Sequence, residues 1–273
     1  MKKTSILLLI ILVSSCSVNK NITENNVPFI KTVKEASYSA KRSGLIVRDS
    51  ILLSKLDKIS YYNEKGFLVK YQKYETDGSL YENTILIKNE NDKLLKRITQ
   101  DSKGKLKKYL TTKLDDKDNI IEYNTYNNQD ELVNIQIKEY DSNGNNISFI
   151  NKSIKSNRTF KTLYKYNTFR EMIKETDYKP DSSIKDIRTY KYDKKGNEIE
   201  QHLNRPDGSF TKFVSEYDQF NNLILHNWFD KNGNQKHQTS FEYVYDNNGN
   251  WLTKKRYSNG ELRYVWEREI EYY

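Results

Sequence analysis

Aromatic and apolar residues recur two positions apart along the chain, in short segments separated by turns rich in Asn, Asp and Gly. Tyr190 and Tyr192, for example, lie just before the turn that begins at Asp193. Side chains two residues apart lie on the same side of a β-strand, whereas a helix needs spacings of three and four. The pattern therefore predicts short strands joined by tight turns.

The turns repeat with a period of 26 residues. In copies such as 193–197, Asp stands first and Gly fourth, which suits a type I turn closed by a bulge. Two interleaved series share the period, so eight hairpin copies are predicted, preceded by a degenerate copy from Val33 to Ile59. The first series begins at Asn63, Asn89, Asp115, Asp141, Asn167, Asp193, Asp218 and Asp246, and the second is marked by Gly78, Gly104, Asp130, Ser156, Ser182, Gly208, Gly233 and Gly260.

This organisation predicts an all-β fold, an antiparallel β-hairpin repeat array of about 16–18 strands over residues 31–273. Strongly twisted open sheets rarely exceed about ten strands without curling or splitting. We therefore expect a curved or spiral sheet, with partial closure into a barrel as an alternative.

The chain begins with two lysines, a run of eight apolar residues (6–13) and two serines before Cys16. This order is typical of a signal peptide, predicted here as residues 1–15, and the apolar run is too short to span a bilayer as a helix. The ending Leu12-Val13-Ser14-Ser15-Cys16 resembles the lipobox of bacterial lipoproteins. That resemblance implies a lipid on Cys16 and attachment to a membrane. Because Ser17 follows the cysteine, it also implies the outer membrane of a Gram-negative bacterium.

Composition narrows the candidate functions. Hydrophobic residues make up 36% of the chain and aromatic residues 13%. This balance suits a sheet whose faces are partly exposed to solvent better than a large core of aliphatic side chains. Its net charge of +9 comes from interleaved residues of both signs, and the export signal argues against a nucleic-acid partner. Since Cys16 is the one cysteine, no thiol is left for a disulfide or a zinc site. A tether of residues 16–30 is expected to join the lipid to the repeats.

Three segments carry a resemblance to a known family. The stretches 140–145, 192–197 and 245–250 each read Tyr-Asp, two further residues, Gly-Asn, and they resemble the YD (Rhs) repeat family. Large members of that family build a β-hairpin shell around a toxin. The resemblance implies the hairpin architecture, and because no separate effector segment follows the repeats, a toxin-associated role is kept only as an alternative.

No catalytic or metal-binding constellation emerges from the sequence. His202, His226 and His237 lie in separate strand segments and do not have the spacing of metal ligands. We interpret them as residues that line a face of the sheet. The Asp-rich turns place Gly fourth, not sixth as a calcium loop requires. No pair of carboxylates stands out, so no metal, no cofactor and no enzymatic activity are predicted, with a polysaccharide-active enzyme as the alternative.

The aromatic columns give the candidate binding surface. Rows of aromatic side chains stack sugars or anchor a partner, although they also stabilise sheets by cross-strand packing. We expect a non-catalytic cell-envelope lipoprotein whose repeat surface serves binding or scaffolding, with a glycan or an envelope protein as its partner. The surface is predicted to include Tyr140, Tyr166, Tyr192, Tyr217, Tyr245, Trp228 and Trp251.

Overall fold

The computed structural model describes residues 28–39 and 56–273, and all of their regular structure is β-strand. These residues form eighteen strands, which confirms the predicted count of about 16–18, and short turns join the strands from β2 to β18. They are β1 Ile30–Ser39, β2 Leu56–Tyr62, β3 Leu68–Tyr74, β4 Leu80–Lys88, β5 Leu94–Asp101, β6 Leu106–Leu114, β7 Ile120–Asn127, β8 Leu132–Tyr140, β9 Asn146–Ser153, β10 Arg158–Tyr166, β11 Met172–Tyr178, β12 Ile184–Tyr192, β13 Glu198–Asn204, β14 Phe210–Tyr217, β15 Leu223–Phe229, β16 Gln235–Tyr245, β17 Trp251–Ser258 and β18 Glu261–Tyr272.

The sheet closes on itself, so the expectation of a curved or spiral sheet is wrong. Each strand pairs antiparallel with its sequence neighbour, and β1 pairs with both β18 and β2. Ile30 lies opposite Tyr272, and Val33 lies opposite both Ile270 and Ser60. Closure satisfies the backbone groups that the edges of an open sheet would leave unpaired. The degenerate copy predicted from Val33 to Ile59 therefore supplies the closing strand.

The turns have the geometry that the sequence predicts. At Asp193 the side-chain Oδ1 accepts hydrogen bonds from the backbone N–H groups of Lys195 at 2.8 Å and Asn197 at 2.9 Å. Gly196 donates its N–H to the Asp193 carbonyl and has φ +83°, a conformation that glycine adopts without steric cost. Hydrogen bonds from Asn197 hold the pKa of the Asp193 carboxyl below its usual value. The same arrangement recurs in most of the turns at this end of the barrel.

Nearly every strand that follows a turn contains a bulge. Tyr62 pairs with Leu68, but Tyr61 pairs with Lys70, so Val69 is an extra residue in β3. Such bulges bend a strand and increase its twist. Their repetition around the sheet gives the curvature that closure of eighteen strands requires.

The two faces of the sheet differ in burial. Cross-strand pairing places Ser60, Thr84 and Thr99 on one face, together with Leu203 and Thr211, and all five are less than 9% exposed. Side chains converge on the concave face of a closed sheet and diverge on the convex face. The face that carries these buried side chains is therefore the concave one, and we call it the inner face. Most of the described buried residues lie on it.

The outer face carries charged side chains. Glu200 lies between Lys191 and Lys212, with Oε–Nζ distances of 2.6 and 2.7 Å, and these lysines hold the pKa of Glu200 at about 2. Lys113 and Glu122 form a similar pair at 2.7 Å. Within residues 28–39 and 56–273, no helix is long and apolar enough to cross a bilayer.

The barrel encloses a lumen rather than a packed core. Few large apolar side chains of the described chain are buried, and Thr and Ser are prominent among its buried residues. A round barrel of eighteen strands measures roughly 35 Å across at the backbone, and barrels of this strand number leave an aqueous channel. The inner face is therefore a surface that a ligand can reach.

The two ends of the barrel are distinguished by their turns. We call the end with the turns that begin at Asn63 through Asp246 the first rim, and the opposite end the second rim. The chain enters β1 at the first rim, where the Phe29 carbonyl accepts a hydrogen bond from the Tyr273 N–H. The predicted signal peptide, Cys16 and residues 16–27 of the tether lie outside the described residues.

Substitution of Asp193 tests the turn geometry. Asp193→Ala removes the acceptor of two backbone N–H groups, and we expect it to lower the free energy of unfolding by about 1–2 kcal/mol. Asp193→Asn keeps an acceptor oxygen, as Asn63 and Asn167 do in their own turns. Urea denaturation of the mature chain, followed by tryptophan fluorescence, measures both variants. Equal losses in the two variants would contradict the proposed role of the Asp193 oxygen.

Candidate functional site

The tyrosine column predicted as a binding surface lies on the inner face near the first rim, where its hydroxyl groups bind neighbouring hairpins. Tyr140 donates to the Ile120 carbonyl at 3.0 Å, and Tyr192 donates to the Met172 carbonyl at 2.8 Å. Burial raises the pKa of Tyr140 to about 12. These hydroxyl groups cross-link successive repeats, so the column has a structural role. Tyr166 and Tyr217 donate in the same way to the carbonyls of Asn146 and Glu198, and Tyr245 donates to the Asp218 carboxylate.

A second set of aromatic residues, part of it accessible, lies on β14–β18. Trp228 is 42% exposed and pairs across the sheet with Phe213 and His237. On β16, Phe241, Tyr243 and Tyr245 lie on the same face in succession, with ring centroids 6.4 and 5.7 Å apart. We call the inner face of β14–β18 the aromatic wall. It contains Phe213, Trp228, Phe241, Tyr243, Tyr245, Trp251, Tyr264 and Trp266.

Cations lie on the rings of the aromatic wall. The Lys254 ammonium is 4.7 Å from the Phe241 ring centroid and 5.4 Å from that of Trp266. The Arg268 guanidinium lies 3.4 Å from the centroid of Trp251, and its Nε donates to Glu35 at 2.8 Å. Burial, followed by the nearby Arg268 charge, lowers the pKa of Lys254. These contacts hold the rings in place.

Sequence reasoning identified Trp228, Trp251 and Tyr245 as candidates but did not predict that β14–β18 bring them together. It also missed Lys254 and Arg268, which the structure places against the rings of Trp266 and Trp251. Period-2 alternation, counted back from Tyr272, would have placed Arg268 on the inner face. Lys254 lies there because the bulge at Leu252 shifts the alternation of β17 by one residue. Their contact with the rings depends on cross-strand register, which the repeat spacing alone does not give.

The histidines line the sheet, as the sequence predicts. His226 lies 3.0 Å from the Ser215 hydroxyl and stacks on Phe213, and burial lowers its pKa. His237 lies 3.3 Å from the Ser258 hydroxyl. Within the described ranges, no group of three or more His, Asp or Glu side chains is placed to hold a metal ion.

A second inner-face cluster surrounds Arg188 on β12. Its Nη1 lies 2.5 Å from Glu175 and 2.7 Å from Asp177, and its Nη2 lies 3.6 Å from Asp186, which is only 4% exposed. One guanidinium thus neutralises several carboxylates. Glu198 on β13 lies apart from this network, and burial, followed by the charge of Glu175, raises the pKa of Glu198 to about 7.

Comparison with known proteins gives only distant structural neighbours. No family model matches the chain, and no curated protein matches it by sequence. A porin-like protein from Bacteroides uniformis is 10% identical with a TM-score of 0.44, over 89% of this chain and 96% of that one. A porin-like protein from Bacteroides vulgatus is 11% identical, with a TM-score of 0.34 over 90% and 99%. The Photorhabdus luminescens Tc holotoxin pore is 14% identical, with a TM-score of 0.36 over 80% of this chain and 11% of that one. Function must therefore be argued from this chain's own geometry.

The buried carboxyl of Glu198 predicts a stability change with pH. At pH 8 the group is ionised in both the folded and the unfolded chain, and folding bears the full cost of burying its charge. As the pH falls below about 7 the folded chain takes up the proton, and below about 4.5 both states are protonated and the cost is absent. We expect Glu198→Gln to raise the free energy of unfolding at pH 8 by about 1–3 kcal/mol and to leave it unchanged at pH 4.

Denaturant titrations at the two pH values measure this difference. Glu139→Gln, on the exposed outer face of β8, is the matched control and should change stability little at either pH. A Glu198→Gln variant that is equally stabilised at pH 4 and pH 8 would show that the effect does not come from the buried charge.

Proposed function

We propose that this chain is a non-catalytic lipoprotein of the cell envelope, held to the outer membrane by a lipid on Cys16, whose barrel binds a glycan on the aromatic wall. The observation that carries the proposal is the row of rings on the inner face of β14–β18, of which Trp228 and Tyr264 are 42% and 40% exposed. The lipobox resemblance at residues 12–16 supports the anchor.

The outer face supports a barrel that stands in water beside the membrane. A lysine or arginine on a lipid-facing strand costs about 2–4 kcal/mol at the bilayer midplane. Here the ion pairs of Glu200 and Glu122 lie on the outer face of their strands. Attachment through a lipid and a tether is compatible with such a surface, whereas insertion of the strands into lipid is not.

The path of the chain supports an orientation for the anchored barrel. The tether enters at the first rim, and the fourteen residues from Cys16 to Phe29 span at most about 45 Å. The first rim therefore faces the membrane. Trp228 and Tyr264, near the second rim and 42% and 40% exposed, face outward, where a ligand arrives.

The chemistry of the aromatic wall suits a sugar polymer. The rings of Phe241, Tyr243 and Tyr245 follow one strand at intervals of about 6 Å, so that successive pyranose faces can each meet a ring. The Lys254 ammonium lies 4.7 Å from the Phe241 ring centroid and 5.7 Å from that of Tyr243. A wall built in this way binds along its length without needing a catalytic group.

Substitution of Trp228 tests binding by the aromatic wall. Loss of one stacking ring should weaken binding of cell-surface or dietary oligosaccharides by about tenfold, since a stacked ring contributes on the order of 1–1.5 kcal/mol. A glycan array followed by calorimetry on the mature chain measures the effect for Trp228→Ala. Phe169→Ala, at a first-rim ring that is 83% exposed, is the matched control.

Two outcomes would overturn this proposal. If Phe169→Ala weakens binding as much as Trp228→Ala, the aromatic wall is not the site. If the oligosaccharide is recovered shortened, the chain is an enzyme, and Glu198 with its raised pKa becomes the first residue to substitute.

The lipid anchor has a separate test. Cells expressing the wild-type chain or Cys16→Ala are labelled with a clickable palmitate analogue and then fractionated. We expect label and membrane association in the wild type and loss of both in the variant. A wild-type chain that takes up no label and stays soluble would contradict the anchor while leaving the aromatic wall untouched.

A further inference from the structure

A recess of about 250 Å³ opens on the barrel wall formed by β5–β8. Cross-strand pairing joins Arg97, Leu110, Thr125 and Asn134 in one row across these four strands. Thr99 and its partner Lys108 form part of the next row. Both rows lie on the inner face, because they continue the line of Ser60 and Thr84. The recess therefore opens towards the lumen.

Two cations line the recess without a counter-charge. Elsewhere on the inner face, Arg188 lies among three carboxylates and Arg268 lies between Glu35 and a tryptophan ring. Arg97 and Lys108 have no ion pair, side-chain hydrogen bond or ring contact within residues 28–39 and 56–273. The charges of Arg188 and Arg268 are neutralised, whereas Arg97 and Lys108 are available to bind a ligand.

Hydroxyl and amide groups surround the two cations. Thr99, Thr125 and Asn134 line the same recess and can donate hydrogen bonds. Thr84, which pairs with Thr99, is fully buried, and its hydroxyl has no hydrogen-bond partner within the described chain. Cations together with neutral donors form the kind of environment that holds an oxyanion, and arginine can bind one through two parallel N–H groups.

We infer that this recess binds the acidic group of an anionic glycan, a carboxylate or a sulfate. The inference deepens the proposed function, on which it rests for the identity of the ligand. β5–β8 lie about half-way around the eighteen-strand ring from β14–β18. The aromatic wall and the cationic recess therefore face each other, and a ligand long enough to cross the lumen can meet both.

The test compares three hexasaccharides by calorimetry on the mature chain: neutral cellohexaose, sulfated cellohexaose and hexagalacturonate. We expect at least one acidic hexamer to bind about tenfold more tightly than cellohexaose. Arg97→Gln and Lys108→Gln should each remove most of this preference and leave the neutral ligand unaffected. Lys152→Gln, which removes the same charge from the outer face of β9, is the matched control. The acidic hexamer that is preferred identifies the group as carboxylate or sulfate.

A second measurement separates this inference from the proposed function. Sodium sulfate, compared with sodium chloride at equal ionic strength, should raise the Tm of the wild type more than that of Arg97→Gln or Lys108→Gln. Equal binding of neutral and acidic hexamers would overturn the inference and leave glycan binding standing. Equal responses of all variants to sulfate would overturn it even if no hexamer binds.

Discussion

The fold depends on the backbone hydrogen bonds that join β1 to both β18 and β2. An ordinary domain is held together by a packed core, but the described part of this barrel buries few large apolar side chains. Its stability therefore comes from strand ladders and cross-strand pairs, which need a neighbour on each side. The pairing of Ile30 with Tyr272 provides that neighbour for the last strand. Closure also creates the lumen, so the same hydrogen bonds that stabilise the chain define its inner surface.

Under the proposed function, the repeat divides its positions between structure and ligand binding. Asp193 and its counterparts order the turns, and Tyr192 and its counterparts attach each hairpin to the one before it. The turn position is Asp or Asn in all eight copies, and the tyrosine recurs in six of them, with Lys88 and Leu114 in the other two. Trp228 and Arg97 occupy positions in the strands that the repeat leaves free to vary. A repeat barrel can in this way change its ligand without changing the interactions that hold it together.

The sequence was sufficient to predict the all-β class, the period, the turn geometry and the strand number, because each follows from local spacing. Closure could not be predicted, since it joins Val33 to Ile270 across the whole chain and no local pattern encodes that pairing. The bulge could have been recognised, because the residue six positions after each first-series turn is aliphatic in all eight copies, from Val69 to Leu252. The tyrosine column was correctly placed on one face. The hydrogen bonds from the tyrosine hydroxyl groups to carbonyls of the preceding hairpin depend on the cross-strand register and were not predictable.

The separation of aromatic and cationic surfaces follows from the same register. With nearly uniform pairing around the ring, a residue's position in its repeat fixes its height along the barrel axis, and the copy number fixes its angle around that axis. Trp228 and Arg97 lie in copies that differ by about half the ring, so their walls are opposed. In the proposed function, a ligand long enough to cross the lumen meets both walls, and recognition then selects it by its charge as well as by its sugar faces.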